Sequence, residues 1–87
     1  MTPKNPDILY LMAQISISLK YYEDAIPLLE QSLQIAPGRS DIRAALGESY
    51  FKSGKFDKSI EEIEKLIEID AIQHFRAALQ ASLDRTT

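Results

Sequence analysis

The sequence has no cysteine. Disulfide staples and thiolate metal sites are therefore excluded. It has no tryptophan and one histidine, His74. A lone histidine at a helix end is a poor basis for acid–base catalysis, and no nucleophile–base pairing accompanies it. No apolar run approaches the ~18 residues a membrane span needs. The opening Met1-Thr2-Pro3-Lys4-Asn5-Pro6 lacks the apolar core of a signal peptide. Basic residues do not dominate: ten Lys and Arg stand against thirteen Asp and Glu, for a net charge of −3. A nucleic-acid binder needs a basic stripe to neutralise phosphates, so that class is disfavoured. Glycine is scarce, and Gly47 and Gly54 lack the spacing of a phosphate loop. Between Lys55 and Thr87 there is neither glycine nor proline.

What the chain does have is helical periodicity. Hydrophobic residues make up 45% of it, enough for a core. Asn5-Pro6-Asp7 reads as a helix start, with an N-cap, a proline at the first position and an acid at the dipole's positive end. Leu9, Met12, Ile15 and Leu19 then recur at helical spacing, giving a first helix from about Asp7 to Leu19. A second runs from about Glu23 to Ile35. Pro27 sits inside it and predicts a small distortion. Pro37-Gly38 ends this helix, with Gly38 suited to a left-handed cap. Ser40-Asp41 caps a third, from about Asp41 to Lys52, and a fourth spans about Asp57 to Ile69. The apolar phase then changes. Ile60, Ile63 and Ile67 share one side, whereas Ile72, Phe75, Leu79 and Leu83 form a stripe about half a turn away. A break at Asp70-Ala71 would resolve the mismatch and give a fifth helix over residues 71–84. Glu61, Glu62, Glu64, Glu68 and Asp70 read as a solvated acidic face.

The chain also repeats itself. Slid along itself until Met12-Ala13 falls on Leu46-Gly47, it places Lys20 on Gly54 and Tyr22 on Phe56. The same shift places Ala25 on Ser59, Ile26 on Ile60, Leu29 on Ile63 and Leu33 on Ile67. Small residues (Ala13, Gly47, Ala25, Ser59) fall where paired helices would cross. Large ones fill the space beside them, and Tyr22 and Phe56 would pack under the turns. Helix–turn–helix units of this period, with Leu46-Gly47, Tyr50, Gly54 and Phe56, resemble the tetratricopeptide repeat. The chain departs from the family pattern in a third unit of only one helix, where Gln80-Ala81 matches poorly, and at three positions before it. Arg43 stands where a bulky apolar residue is favoured, Leu66 replaces a small residue, and Ala71 replaces the terminal proline.

The resemblance implies an all-α fold: a right-handed superhelical array of antiparallel helix pairs (an α-solenoid) with five helices. Residues 1–5 would be an N-terminal tail, 6–39 the first repeat, 40–70 the second, 71–84 a capping helix and 85–87 a frayed tail. It implies a non-catalytic scaffold or adaptor that binds another protein or a peptide, with no cofactor and no metal. Nucleic acid and membrane are not expected as partners, and a cytoplasmic setting is. The concave groove would be lined by Asp7, Tyr10, Gln14 and Ile17 from the first helix and by Asp41, Ala44, Glu48, Phe51 and Lys52 from the third. The fifth would add Phe75, Ala78 and Ser82. Tyr10, Ile17 and Phe51 among carboxylates suit an apolar peptide carrying a basic residue. Some relatives clamp a peptide's terminal carboxylate with Lys, Asn and Arg. Those positions here hold Tyr10, Gln14, Ala44, Glu48, Ala78 and Ser82, so that variant is not expected. Two alternatives stand beside the groove. One is self-association through the apolar edge Ile8, Leu11 and Ile15, or through the capping helix. The other is a regulatory domain with a small-ligand pocket.

Overall fold

The computed structural model describes residues 4–85. The first three residues of the expected tail, and Thr86 and Thr87, lie outside the described residues. Among the described residues there are four helices and no strand: α1 (Pro6–Ser18), α2 (Tyr22–Ile35), α3 (Ser40–Lys52) and α4 (Phe56–Arg85). Each packs on the next in chain order, and α1 also touches α3. The core lies across the first three, in Leu9, Ala13, Ala25, Ile26, Leu29, Ile42, Leu46 and Tyr50. Burial and the carboxylates of Glu30 and Glu62 push the Tyr50 phenol up to about 12, which keeps this core position neutral.

The helix ends follow from local chemistry. The side chain of Asn5 accepts the Asp7 N–H at 2.9 Å and caps α1. Pro27 is accommodated within an unbroken α2. The two hairpin turns share one backbone design. Lys20 and Gly54, which the internal repeat superposes, are the described residues with positive φ, at 66° and 83°. At each turn the next N–H reaches back to close the preceding helix, Tyr21 to Ser16 O and Lys55 to Tyr50 O, both at 2.8 Å. This is a Schellman closure, and it needs a left-handed residue. Gly38, expected to be left-handed, is not: α2 ends at Ala36 with φ −129°. The N-cap of α3 is Arg39, not Ser40 or Asp41, and it makes no side-chain cap bond. Phe56 stays exposed, edge-on to Phe51 with ring centroids 5.5 Å apart, instead of packing under its turn.

The expected fifth helix does not exist as a separate element. α4 is continuous for 30 residues, about 45 Å at 1.5 Å per residue. Asp70 can cap a helix, but a cap residue alone does not break one. The stretch from Glu61 to Leu79 has no glycine or proline and is rich in good helix formers. At Ala71, where the first repeat has Pro37, nothing forbids another turn. Residues 71–84 consequently run straight on and are exposed throughout. His74, expected to begin the capping helix, lies inside this stretch. Arg85, assigned to the tail, ends α4.

α4 packs on α3 alone. The buried Ser59 hydroxyl donates to Gly47 O at 2.8 Å. Arg43 Nη1 meets Glu62 Oε2 at 2.8 Å, with both side chains 11% exposed. Arg43 also donates to Pro37 O at 3.0 Å, and Lys65 approaches Glu62 at 3.4 Å. Glu62 is therefore no part of a solvated acidic face. In the first repeat the equivalent residues are Leu9 and Leu28. An apolar pair in one unit is replaced by an ion pair in the other.

Substitutions at this seam and at the turn beside it have calculable outcomes. A Cβ added at Gly47 would meet its nearest neighbours, Glu62 Cβ and Ile63 Cγ1, at an ordinary 3.7 Å. Gly47→Ala should therefore stabilise the fold by about 0.5–1 kcal/mol in urea denaturation, through helix propensity. Gly54→Ala should cost about 1 kcal/mol because φ is positive there. Glu62→Ala should cost about 3–5 kcal/mol, since it strands a buried guanidinium. The double change Arg43→Leu/Glu62→Leu, which copies the first repeat, should recover most of that loss. A double mutant as unstable as Glu62→Ala would show that the pair's geometry, and not the stranded charge, is what matters.

Candidate functional site

Two residues of α1 and α3 recur one above the other because both helices begin the same way. Asp7 and Asp41 are equivalent under the internal repeat, each in the first turn of its helix. Arg39, just before α3, joins them. Its Nη1 reaches Asp7 Oδ1 at 2.7 Å, and its Nη2 and Nε reach the two Asp41 oxygens at 2.8 and 3.0 Å. The guanidinium also lies 5.9 Å from the centre of the Tyr10 ring, within cation–π range. This hydrogen-bonded guanidinium holds the Asp41 carboxyl below its ordinary value, and the two carboxylates in turn raise the pKa of Arg39.

From that mouth an open groove of about 470 Å³ runs between α1 and α3. It is lined by Tyr10, Gln14, Ile17 and Ser18 on one side and by Asp41, Ala44, Ala45 and Glu48 on the other. Tyr10 and Ile17 are half-buried against the core, so their exposed surfaces are held in fixed positions. Glu48 carries no ion pair among the described residues. The groove is therefore apolar along its floor and negative at its α3 wall.

Of the residues expected to line a groove, Tyr10, Gln14, Ile17, Ala44 and Glu48 lie together here, with Asp41. Asp7 sits at the mouth, tied to Arg39. Phe51 and Lys52 do not line it. Phe51 packs against Phe56 across the α3–α4 turn, and Lys52 is exposed at the end of α3. Phe75, Ala78 and Ser82 are not there either. They ride on the straight C-terminal half of α4, which does not touch α1. The edge residues Ile8, Leu11 and Ile15 are exposed on α1. Sequence reasoning missed Arg39. The signal was present: two first-turn aspartates at the repeat period, with one cation set just before the second.

A family model described as tetratricopeptide repeat matches residues 16–83, well over half of the chain. The chain belongs to the tetratricopeptide repeat family. Tetratricopeptide repeats generally mediate protein–protein interaction. No curated protein and no solved structure matches the chain. The match runs into the straight part of α4, so the repeat signal persists in residues that do not fold back as a third unit. Among the described residues, no helix is long and apolar enough to cross a membrane. No group of three or more His, Cys, Asp or Glu side chains among them could hold a metal ion.

The Arg39 bridge makes a local prediction. In Arg39→Gln the Asp41 carboxyl should rise toward the ordinary aspartate value, read from its side-chain carbon shift in an NMR pH titration. An Asp41 pKa unchanged by the substitution would show that the Ile42 N–H, which donates to Asp41 Oδ1 at 2.9 Å, sets it instead.

Proposed function

We propose that this chain is a non-catalytic scaffold or adaptor module that binds a peptide segment of another protein in the groove between α1 and α3. The observation that carries this is the groove itself: a fixed aromatic and aliphatic floor (Tyr10, Ile17, Ala44) beside the Glu48 carboxylate. Such a surface suits an apolar anchor residue followed by a Lys or Arg. The groove is an open trough and not an enclosed cavity, which favours a chain segment over a small metabolite. Arg39 is occupied by two carboxylates and offers little to an anionic tail. A terminal-carboxylate clamp is accordingly not part of this proposal.

Selection from a displayed random-peptide library should enrich apolar residues flanked by a basic one. Tyr10→Ala should weaken an enriched peptide by roughly tenfold or more, as expected when a buried aromatic anchor contact is lost. Glu48→Lys should weaken basic peptides and leave their neutral analogues nearly unchanged. Fluorescence anisotropy would measure both. Peptides whose affinity is indifferent to both changes would place the binding face elsewhere.

A further inference from the structure

The array contains one assembled junction between successive helix pairs, where α3 lies on α2. Ile26 and Leu29 of α2 are buried in one core cluster with Ile42 of α3, and Ser49 of α3 is also buried. The internal repeat shows what each end of the chain would offer to a further junction. Moving forward by one repeat carries Ile26, Leu29 and Leu33 onto Ile60, Ile63 and Ile67 of α4, which are 46–63% exposed. Moving back by one repeat carries Ile42, Ala45 and Ser49 onto Ile8, Leu11 and Ile15 of α1, which are 47–58% exposed. The chain thus exposes both halves of a contact that it also contains in assembled form. Within one copy they cannot meet, because α1 and α4 stand at opposite ends of the array and do not touch.

We propose that a second copy of this chain docks head to tail, α1 of one copy lying on α4 of the next in the way α3 lies on α2. The receiving place is already shaped. A cleft of about 350 Å³ lies beside α4, with Ile63, Leu66 and Ile67 in its wall. The same repeat shift maps these onto Leu29, Ser32 and Leu33; Leu29 and Leu33 pack in the core cluster that includes Ile42 of α3, while the Ser32 hydroxyl donates to Pro6 O of α1. Past Asp70 the helix continues without folding back over this cleft and contributes Gln73 to its wall. Ile8, Leu11 and Ile15 on one side and Ile60, Ile63 and Ile67 on the other are aliphatic, as Ile26, Leu29 and Ile42 are in the assembled core, and Ser40, Asp70 and Gln73 form the polar part of the cleft wall. Because the two faces differ, the contact is heterologous and does not close after two copies. It uses neither Tyr10 nor Glu48, so it is independent of peptide binding in the groove and can fail without it.

Sedimentation velocity of the intact chain should show a mass that rises with concentration and does not stop at a dimer. Leu11→Glu/Ile15→Glu blocks one face, and Ile60→Glu/Ile67→Glu blocks the other. Each variant alone should be monomeric with an unchanged helical circular dichroism spectrum. Mixed in equal amounts they should give a one-to-one dimer and nothing larger, since each retains the face the other has lost. A wild-type chain that stays monomeric at every concentration would overturn the proposal. So would a wild type that associates while the mixed variants do not, because that pattern marks a like-with-like contact or another face. Should either charged variant unfold, the absence of native cysteine permits a second test. Leu11→Cys mixed with Ile67→Cys should oxidise to the mixed disulfide in preference to either homodimer. A preference for homodimers would equally refute head-to-tail docking.

Discussion

The second half of the molecule hangs on one seam, α3 against α4. No other helix touches α4, so whatever joins these two decides where the whole of that long helix goes. The seam is built from a buried serine hydroxyl on the Gly47 carbonyl, ordinary packing beside Gly47, and the Arg43–Glu62 ion pair. Two of these three are polar. Such contacts have direction, so they fix the register of α4 more tightly than an apolar face of the same area would. They also leave little tolerance. One Arg43 nitrogen, Nε, is buried and finds no acceptor, and a buried charge that loses its partner is costly.

The two repeats solve one packing problem with different chemistry. Where the second has Arg43 and Glu62, the first has Leu9 and Leu28. The turns, in contrast, are shared between the repeats in backbone and not in residue type. Lys20 takes the same left-handed conformation as Gly54 and closes its helix with the same pair of hydrogen bonds. Geometry is repeated and sequence is allowed to vary, at some local cost for a residue that carries a Cβ.

The straightness of α4 shapes the surface more than any single side chain. Had the chain turned at Ala71, its last helix would have been available to cover Ile63 and Ile67, and the groove would have had a third wall. Because it continues, the groove has two walls, α1 and α3, and the last pair's outer face stays bare. The apolar stripe at Ile72, Phe75 and Leu79 is likewise exposed.

Much of this was legible in the residues alone. The internal repeat, the Asn5 cap and the helix pairs follow from short-range rules, because spacing on a helix fixes which side chains share a face; the expectation that Tyr10, Gln14, Ile17, Ala44 and Glu48 come together across two helices came from the family resemblance. Tertiary structure decided the rest. The change of apolar phase at Asp70 suggested a break, but both stripes are exposed and phase does not break a helix. Only a glycine, a proline or a competing packing partner does, and α4 runs unbroken through residues 71–84, all of them exposed. Glu62 looked like one carboxylate among five on a wet face. Its burial depended on Arg43, on the neighbouring helix, and on a crossing of α3 and α4 that sequence periodicity does not encode. Arg39 joined Asp7 and Asp41 for the same reason: a contact between the start of α1 and the start of α3 is set by how helix pairs stack, and stacking is a property of the folded array.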